Sequence, residues 1–159
     1  MPGMLDSLLD VGCAAAATRG LMRMTGNPRF AWDCRRRLLE GWAETVLGVD
    51  AADLAAKRNA PIAEEGALTD RHLDSEALER LASAYETMIA DADREIPDDP
   101  MQQLIVASRA VYGSWMSDKA CAYRRLHGLD SLKGTAVTVQ AMAYGNKGTG
   151  SGAGVALFP

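Results

Sequence analysis

Apolar residues recur at helical spacing through most of this chain. Residues 12–25 form an alanine-rich stretch that is predicted to be a helix ending near Gly26. Asn27 and Pro28 then supply a cap residue followed by proline at the first helical position, so the next helix is predicted over residues 28–47. Its apolar stripe has a spacing of four and contains Phe30, Cys34, Leu38, Trp42 and Val46.

Further helices are predicted downstream of this stripe. A short helix over residues 50–59 should stop before Pro61, because proline disfavours helix in the residue that precedes it. Residues 60–72 have mixed polarity and are predicted to form a loop. Asp74 and Asp99 each stand at a helix start, where a carboxylate can accept hydrogen bonds from free backbone N–H groups. A last, shorter helix is predicted over residues 118–126.

The pattern changes to strict alternation at Gly134. Residues 135–144 alternate β-branched and small side chains, which is typical of a strand, and residues 145–154 form a glycine-dense turn. Residues 155–158 are apolar and could begin a returning strand. The predicted fold is therefore mainly α, with a helical subdomain over residues 1–133 followed by a short β-hairpin over residues 134–159. Because one strand and a stub cannot form an independent sheet, the chain is expected to be cut at its carboxyl end. The amino end is expected to be cut as well, because residues 1–4 lead directly into structure with no preceding strand.

Composition restricts the partners of the chain. Hydrophobic residues make up 48% of the 159 positions and charged residues 24%, and the net charge is −4. This mild acidity argues against a broad nucleic-acid interface but leaves room for a small anion. The three cysteines are widely spaced and indicate neither a disulfide framework nor a zinc site. The apolar runs are short and the first ten residues lack a basic leader, so we expect a cytoplasmic protein with no membrane partner.

The candidate chemistry is sparse. The glycine turn lacks dinucleotide-binding spacing and does not open a helix, so on its own pattern it is typical of a flexible hairpin loop. Arg35, Arg36 and Arg37 fan over roughly 200° of a helix, which predicts solvated or ion-paired side chains and not one ligand face. His72 and His127 have no partners at metal-ligand spacing. The residue pattern thus offers no catalytic and no metal-binding residue.

Several segments, in order, resemble pyruvate, phosphate dikinase. Residues 1–6 are Met-Pro-Gly-Met-Leu-Asp, where the family has Met-Pro-Gly-Met-Met-Asp. Residues 26–31 are Gly-Asn-Pro-Arg-Phe-Ala and resemble its helical insertion, as do Asp33, Arg36 and Arg37. Further similarity lies in Trp115 with residues 122–125, in residues 134–146 and in residues 151–156. The helical insertion favours the dikinase over phosphoenolpyruvate synthase, which is similar only in the later strand.

The resemblance implies an ATP-grasp (α+β) domain. In the complete enzyme, ATP with magnesium phosphorylates a histidine on a swivelling domain, and a separate barrel passes the phosphoryl group to pyruvate. By the same resemblance, the family's phosphate-binding lysine and arginine precede Met1, and its metal-binding acids follow Pro159. We therefore expect this chain alone to be inactive, to bind ATP weakly if at all, and to need the remainder of a dikinase as its partner.

The resemblance also assigns the adenine-binding residues. Gln140, Ala141, Met142 and Ala143 match the hinge that presents a backbone carbonyl and amide to adenine. Ala153 departs from the family's threonine, and residues 157–159 depart from its usual continuation. Two other interpretations stay open at this point: a non-catalytic helical interaction or regulatory module, and a small independent ATP-binding protein.

Overall fold

The computed structural model describes residues 6–148 and 150–154, and these residues form six α-helices and two 3-10 turns. The helices are α1 (Ala15–Thr25), α2 (Pro28–Thr45), α3 (Ala51–Glu64), α4 (Ser75–Asp91), α5 (Pro100–Gly113) and α6 (Asp118–Leu126). The 3-10 turns are Asp70–His72 and Ser114–Met116. Among the helices of the described residues, none has the length and apolar character needed to cross a membrane.

Side-chain caps begin the helices where the sequence predicts them. Asn27 Oδ1 accepts a hydrogen bond from Phe30 N–H at 3.0 Å and starts α2. Asp74 accepts one from the backbone of α4 in the same way, at 2.8 Å. Asp99 caps the start of α5 through two such bonds. These local bonds satisfy donors that a helix start leaves free, which is why the helix starts could be predicted from single residues.

Helix α3 is longer than predicted, and the prediction that it stops before Pro61 is wrong. The helix continues through Pro61 to Glu64 and shortens the predicted loop. An interior proline costs roughly 3 kcal/mol because it removes one helical hydrogen bond and crowds the preceding turn. Burial offsets that cost here, since Pro61 and Leu54 are buried and Ile62 packs against the core.

Helix α2 lies at the centre of the fold and contributes to two apolar clusters. One face packs on α4, where Leu39 and Ala43 join a buried set completed by Leu54, Leu73, Ala77, Leu78, Leu81, Ala82, Tyr85 and Ile89. The other face packs Phe30, Cys34, Leu38 and Trp42 against Cys13 and Ala107. The predicted stripe of α2 is thus confirmed as core, and the Trp42 side chain is only 1% exposed.

The predicted β-hairpin is wrong, and so is the α+β ATP-grasp arrangement that the family resemblance implies. Within the described residues there is no strand, and residues 134–144 run without regular secondary structure. None of the backbone–backbone hydrogen bonds found among the described residues involves this segment. Alternation predicts a half-buried pleated surface, but a strand also needs a neighbouring strand to pair with. The proposed returning strand at 155–158 lies outside the described residues. The division of the chain at residue 133 stays a prediction.

Candidate functional site

A cavity of about 630 Å³ lies between residues 6–12, helix α5 and the segment 136–142. Its apolar walls come from all three parts, and include Leu8, Val11, Leu104, Val111, Val137, Val139 and Met142. Its polar lining consists of Asp6, Ser7, Asp10, Ser108, Thr138 and Gln140. The cavity is therefore a mainly apolar space with a few hydrogen-bonding groups, which is the usual character of a small-molecule site.

The residues predicted to bind a nucleotide base lie partly at this cavity. Gln140 and Met142 line it, whereas Ala141 and Ala143 do not belong to its lining; all four residues are exposed. The structure thus brings every second residue of the predicted set to one wall. Upstream of this pair, residues 136–140 line the cavity consecutively, so the alternation that predicted a strand does not describe which residues face α5.

Two hydrogen bonds from backbone N–H groups hold the segment 6–12 in place as the cavity wall that faces residues 136–142. Gln103 on α5 is fully buried; its Oε1 accepts a hydrogen bond from Gly12 N–H at 2.9 Å, and its Nε2 donates to the Pro97 carbonyl at 2.6 Å. Asp6 N–H donates to Ser114 Oγ at 3.3 Å. Gln103 was not predicted from the sequence. Its position directly before Leu104, the first residue of the apolar stripe of α5, was the one indication that its amide would be buried and would need hydrogen-bond partners.

The charge of the cavity is acidic. No lysine or arginine occurs among the described residues that line it, whereas Asp6 and Asp10 do. Asp10 is 5% exposed and its Oδ1 has no hydrogen-bond partner in the described part of the chain. Burial raises the pKa of Asp10 to about 6, and the nearby Arg37 opposes this rise. A neutral ring with hydrogen-bonding edges suits such a space better than an anion does.

The arginine cluster of α2 is ion-paired, as the sequence predicts. Arg36 Nη2 lies 2.5 Å from Asp33 Oδ1, and the same guanidinium contacts Glu40 at 2.8 Å and Asp70 at 3.1 Å. Arg35 pairs with Glu86 at 2.7 Å. Burial opposes ionisation of Asp33, but Arg36 and a hydrogen bond from Asn146 prevail and lower the pKa of that carboxyl.

A second groove of about 400 Å³ runs beside this cluster. Arg36, Arg37, Arg58 and Arg71 line it together with Glu40, Glu44 and Asp70. Four arginines and three carboxylates share this groove, and ion pairs such as Arg36–Glu40 and Arg36–Asp70 neutralise much of their charge. It lacks the concentrated positive charge that would hold a phosphate chain.

The turn that follows the predicted base-binding residues is attached to the start of α2. Asn146 Nδ2 donates to Asp33 Oδ2 at 2.6 Å, and Asn27 Nδ2 donates to the Lys147 carbonyl at 3.0 Å. Tyr144 meets the Phe30 ring edge to face, with the centroids 5.0 Å apart. Sequence reasoning did not connect these residues, because they are separated by more than a hundred positions.

No metal centre is apparent. Within residues 6–148 and 150–154, no group of three or more His, Cys, Asp or Glu side chains is placed so that it could hold a metal ion. The residues described here therefore give no basis for assigning a magnesium ligand to this part of a dikinase.

Comparison with known proteins identifies the family. Residues 1–158 match the family described as "Pyruvate phosphate dikinase, AMP/ATP-binding domain". The chain is 38% identical to pyruvate, phosphate dikinase of Clostridium symbiosum over 99% of its own length, and 39% identical to that of Giardia intestinalis over 98%. It spans 18% of the length of each of these two relatives. The chain therefore belongs to the AMP/ATP-binding domain family of pyruvate phosphate dikinase.

Proposed function

We propose that this chain forms part of the nucleotide-binding domain of a dikinase and that its cavity takes the adenine base of ATP or AMP. The observation that carries the proposal is that Gln140 and Met142 line one mainly apolar cavity. Both belong to the four residues, 140–143, that resemblance to the family's adenine-binding hinge indicates. The family match over residues 1–158 supports a nucleotide as the ligand class.

The backbone of residues 140–143 can supply the polar contacts. Its N–H and C=O groups take part in none of the backbone–backbone hydrogen bonds found in the described part of the chain. They are therefore available to the donor and acceptor on the edge of an adenine ring. Met142 and Val139 on one wall and Leu104 on the other can cover the two ring faces. Burial of apolar ring surface then contributes about 25 cal/mol for each Å² removed from water.

The cavity fits the base better than it fits the phosphates. A triphosphate needs cations close to its oxygens, and the described lining residues include two aspartates and no lysine or arginine. We propose that the complete dikinase supplies those cations and magnesium from other segments. There, bound ATP supplies the phosphoryl groups that convert pyruvate and phosphate into phosphoenolpyruvate and diphosphate, with AMP released. The comparisons give no support to the alternative of a helical regulatory module.

Adenosine tests this assignment without involving phosphate. Saturation-transfer NMR on the purified chain should show transfer to the adenine protons at millimolar adenosine, and less transfer to guanosine. Val139→Glu places a carboxylate in the cavity wall and should abolish the transfer. Leu68→Glu is the matched control, because Leu68 is 86% exposed and lies outside the cavity. Equal transfer in both variants, or no preference for adenosine, would contradict the proposal.

A further inference from the structure

The amino-terminal end of α2, from its capping residue Asn27 to Asp33, holds the carboxyl end of the proposed adenine segment through three contacts of different chemistry. Asn146 binds the Asp33 carboxylate, Tyr144 packs on the Phe30 ring, and the Lys147 carbonyl accepts from the Asn27 amide. The first of these anchored residues, Tyr144, directly follows Ala143. Between Gly134 and Ala143, the described hydrogen bonds attach the segment to no other element.

Asp33 is a rigid acceptor for this attachment. It is 3% exposed, and both of its oxygens are engaged: Oδ1 by Arg36 at 2.5 Å, and Oδ2 by Asn146 at 2.6 Å and by Arg37 at 3.1 Å. A hydrogen bond to an ionised acceptor is about twice as strong as one between neutral groups. Because two arginines orient the carboxylate, Asn146 has one well-defined position in which it can donate.

Gly145 gives the chain the room that this geometry requires. A Cβ atom at Gly145 would lie 2.4 Å from the backbone nitrogen of Ala153, which no side chain tolerates. The turn therefore folds back closely on itself between the Phe30 contact of Tyr144 and the Asp33 contact of Asn146. This close approach fixes the direction in which the chain leaves residues 140–143.

We propose that Asp33 and Asn146 are positioning residues for nucleotide binding: their hydrogen bond sets the placement of the backbone of residues 140–143 against the cavity. The inference rests on the proposed function, since it assumes that this backbone meets the base. Recognition by backbone groups needs placement to within about 0.5 Å, and such precision comes from the groups that support the site. In the described residues, α2 supplies that support from a distant part of the sequence.

Asn146→Ala separates positioning from folding. Asp33 keeps both arginines in this variant, so the helical core should be retained and the thermal midpoint should change little. Adenosine affinity should fall about tenfold, because residues 140–143 lose the contact that places their backbone for binding. Lys147→Ala is the matched control in the neighbouring position, because the contact of Lys147 with Asn27 is made by its carbonyl. Affinity should be unchanged in that variant.

Exchanging the carboxylate of position 33 with the amide of position 146 tests whether adenosine affinity can be restored. Asn146→Asp places two carboxylates against each other and should weaken adenosine binding more than Asn146→Ala does. Adding Asp33→Asn restores one donor and one acceptor between the two positions, so affinity should recover in part, while loss of the carboxylate that pairs with Arg36 and Arg37 should lower the thermal midpoint of the double variant. A role of Asn146 in general stability would instead lower the thermal midpoint of each single Asn146 variant in parallel with its affinity.

Backbone relaxation distinguishes failure of this inference from failure of the proposed function. Heteronuclear NOE values at residues 140–143 should drop in Asn146→Ala and stay unchanged in Lys147→Ala, with or without adenosine. If they drop while the wild-type chain binds no adenosine, the positioning by α2 stands and the adenine assignment falls. If Asn146→Ala changes neither the NOE values nor the affinity, the positioning role is refuted.

Discussion

Replacement of Asp10 by asparagine should stabilise the fold at neutral pH. Asp10 is 5% exposed, has one oxygen without a partner among the described residues, and adopts a left-handed backbone with φ 57°. Asparagine tolerates that conformation as well as aspartate does, and it removes the charge that burial penalises. The change therefore tests the electrostatic cost of Asp10 with little disturbance of the backbone.

The magnitude and sign follow from linkage. The carboxyl pKa is raised from 3.8 to about 6 in the fold, so the native state binds the proton more tightly than the unfolded state does. The stability contributed by protonated Asp10 is therefore fully present below the unfolded pKa and is lost as the pH rises from 3.8 through about 6. Between about pH 4.5 and about pH 7.5, this amounts to about 2 kcal/mol of the free energy of unfolding. The pKa of Asp33 is shifted in the opposite direction, but Asp33 is present in both wild type and variant, so its own titration is common to the two proteins.

Urea unfolding of wild type and Asp10→Asn across that pH range measures the effect. The stability difference in favour of the variant should grow by about 2 kcal/mol from the acidic to the neutral end. Asp93→Asn is a matched control, because Asp93 has φ 55° but is exposed; its effect should be within about 0.5 kcal/mol. A pH-independent difference for Asp10→Asn would refute the reasoning.

Four further outcomes are expected. Trp42→Ala should lower the free energy of unfolding by about 3–5 kcal/mol in a denaturant titration, because the indole is buried in the core. An unchanged midpoint would show that Trp42 does not belong to the core. Tyr85→Phe should cost about 1 kcal/mol by the same measurement, since the hydroxyl donates to the Leu54 carbonyl at 3.2 Å; no loss would show that this bond adds nothing. Gly145→Ala should shift the amide resonances of residues 144–147 and leave those of α4 in place; an unshifted turn would argue against the close approach to Ala153. The chain alone should form no phosphoenolpyruvate from ATP, pyruvate and phosphate in a coupled assay, because cations stabilise the transferred phosphoryl group and the described cavity lining has none; steady product formation would contradict this.

The helices could be predicted because their signals are local. Asn27, Asp74 and Asp99 each cap a helix through backbone donors within three residues, and Gly26 ends α1 in the left-handed conformation with φ 63°. The stripe of α2 also lies within one element, so its burial followed from spacing alone. Ion pairing of Arg36 was foreseeable in part, since Asp33 and Glu40 stand three and four positions away on the same helix.

The remaining features depend on residues far apart in the sequence. A strand at residues 134–144 requires a pairing partner, and local alternation carries no information about one. The burial of Asp10 results from packing beside the α2 arginines and cannot be read from its neighbours Leu9 and Val11. The bond from Asn146 to Asp33 spans 113 positions. Similarity to the dikinase family indicated Gln140 and Met142, but only the fold shows that they face a common cavity.

Mapping of adenosine binding on the backbone amides is the most direct test of whether the base binds in the cavity between residues 6–12, α5 and residues 136–142. A titration of the isotopically labelled chain followed by two-dimensional NMR reports on each backbone N–H separately. Saturable shifts should concentrate at residues 136–143 and at Leu104 and Val111 across the cavity. Shifts centred on Arg36 and Arg37 in the second groove, or no saturable shift at millimolar adenosine, would contradict this prediction.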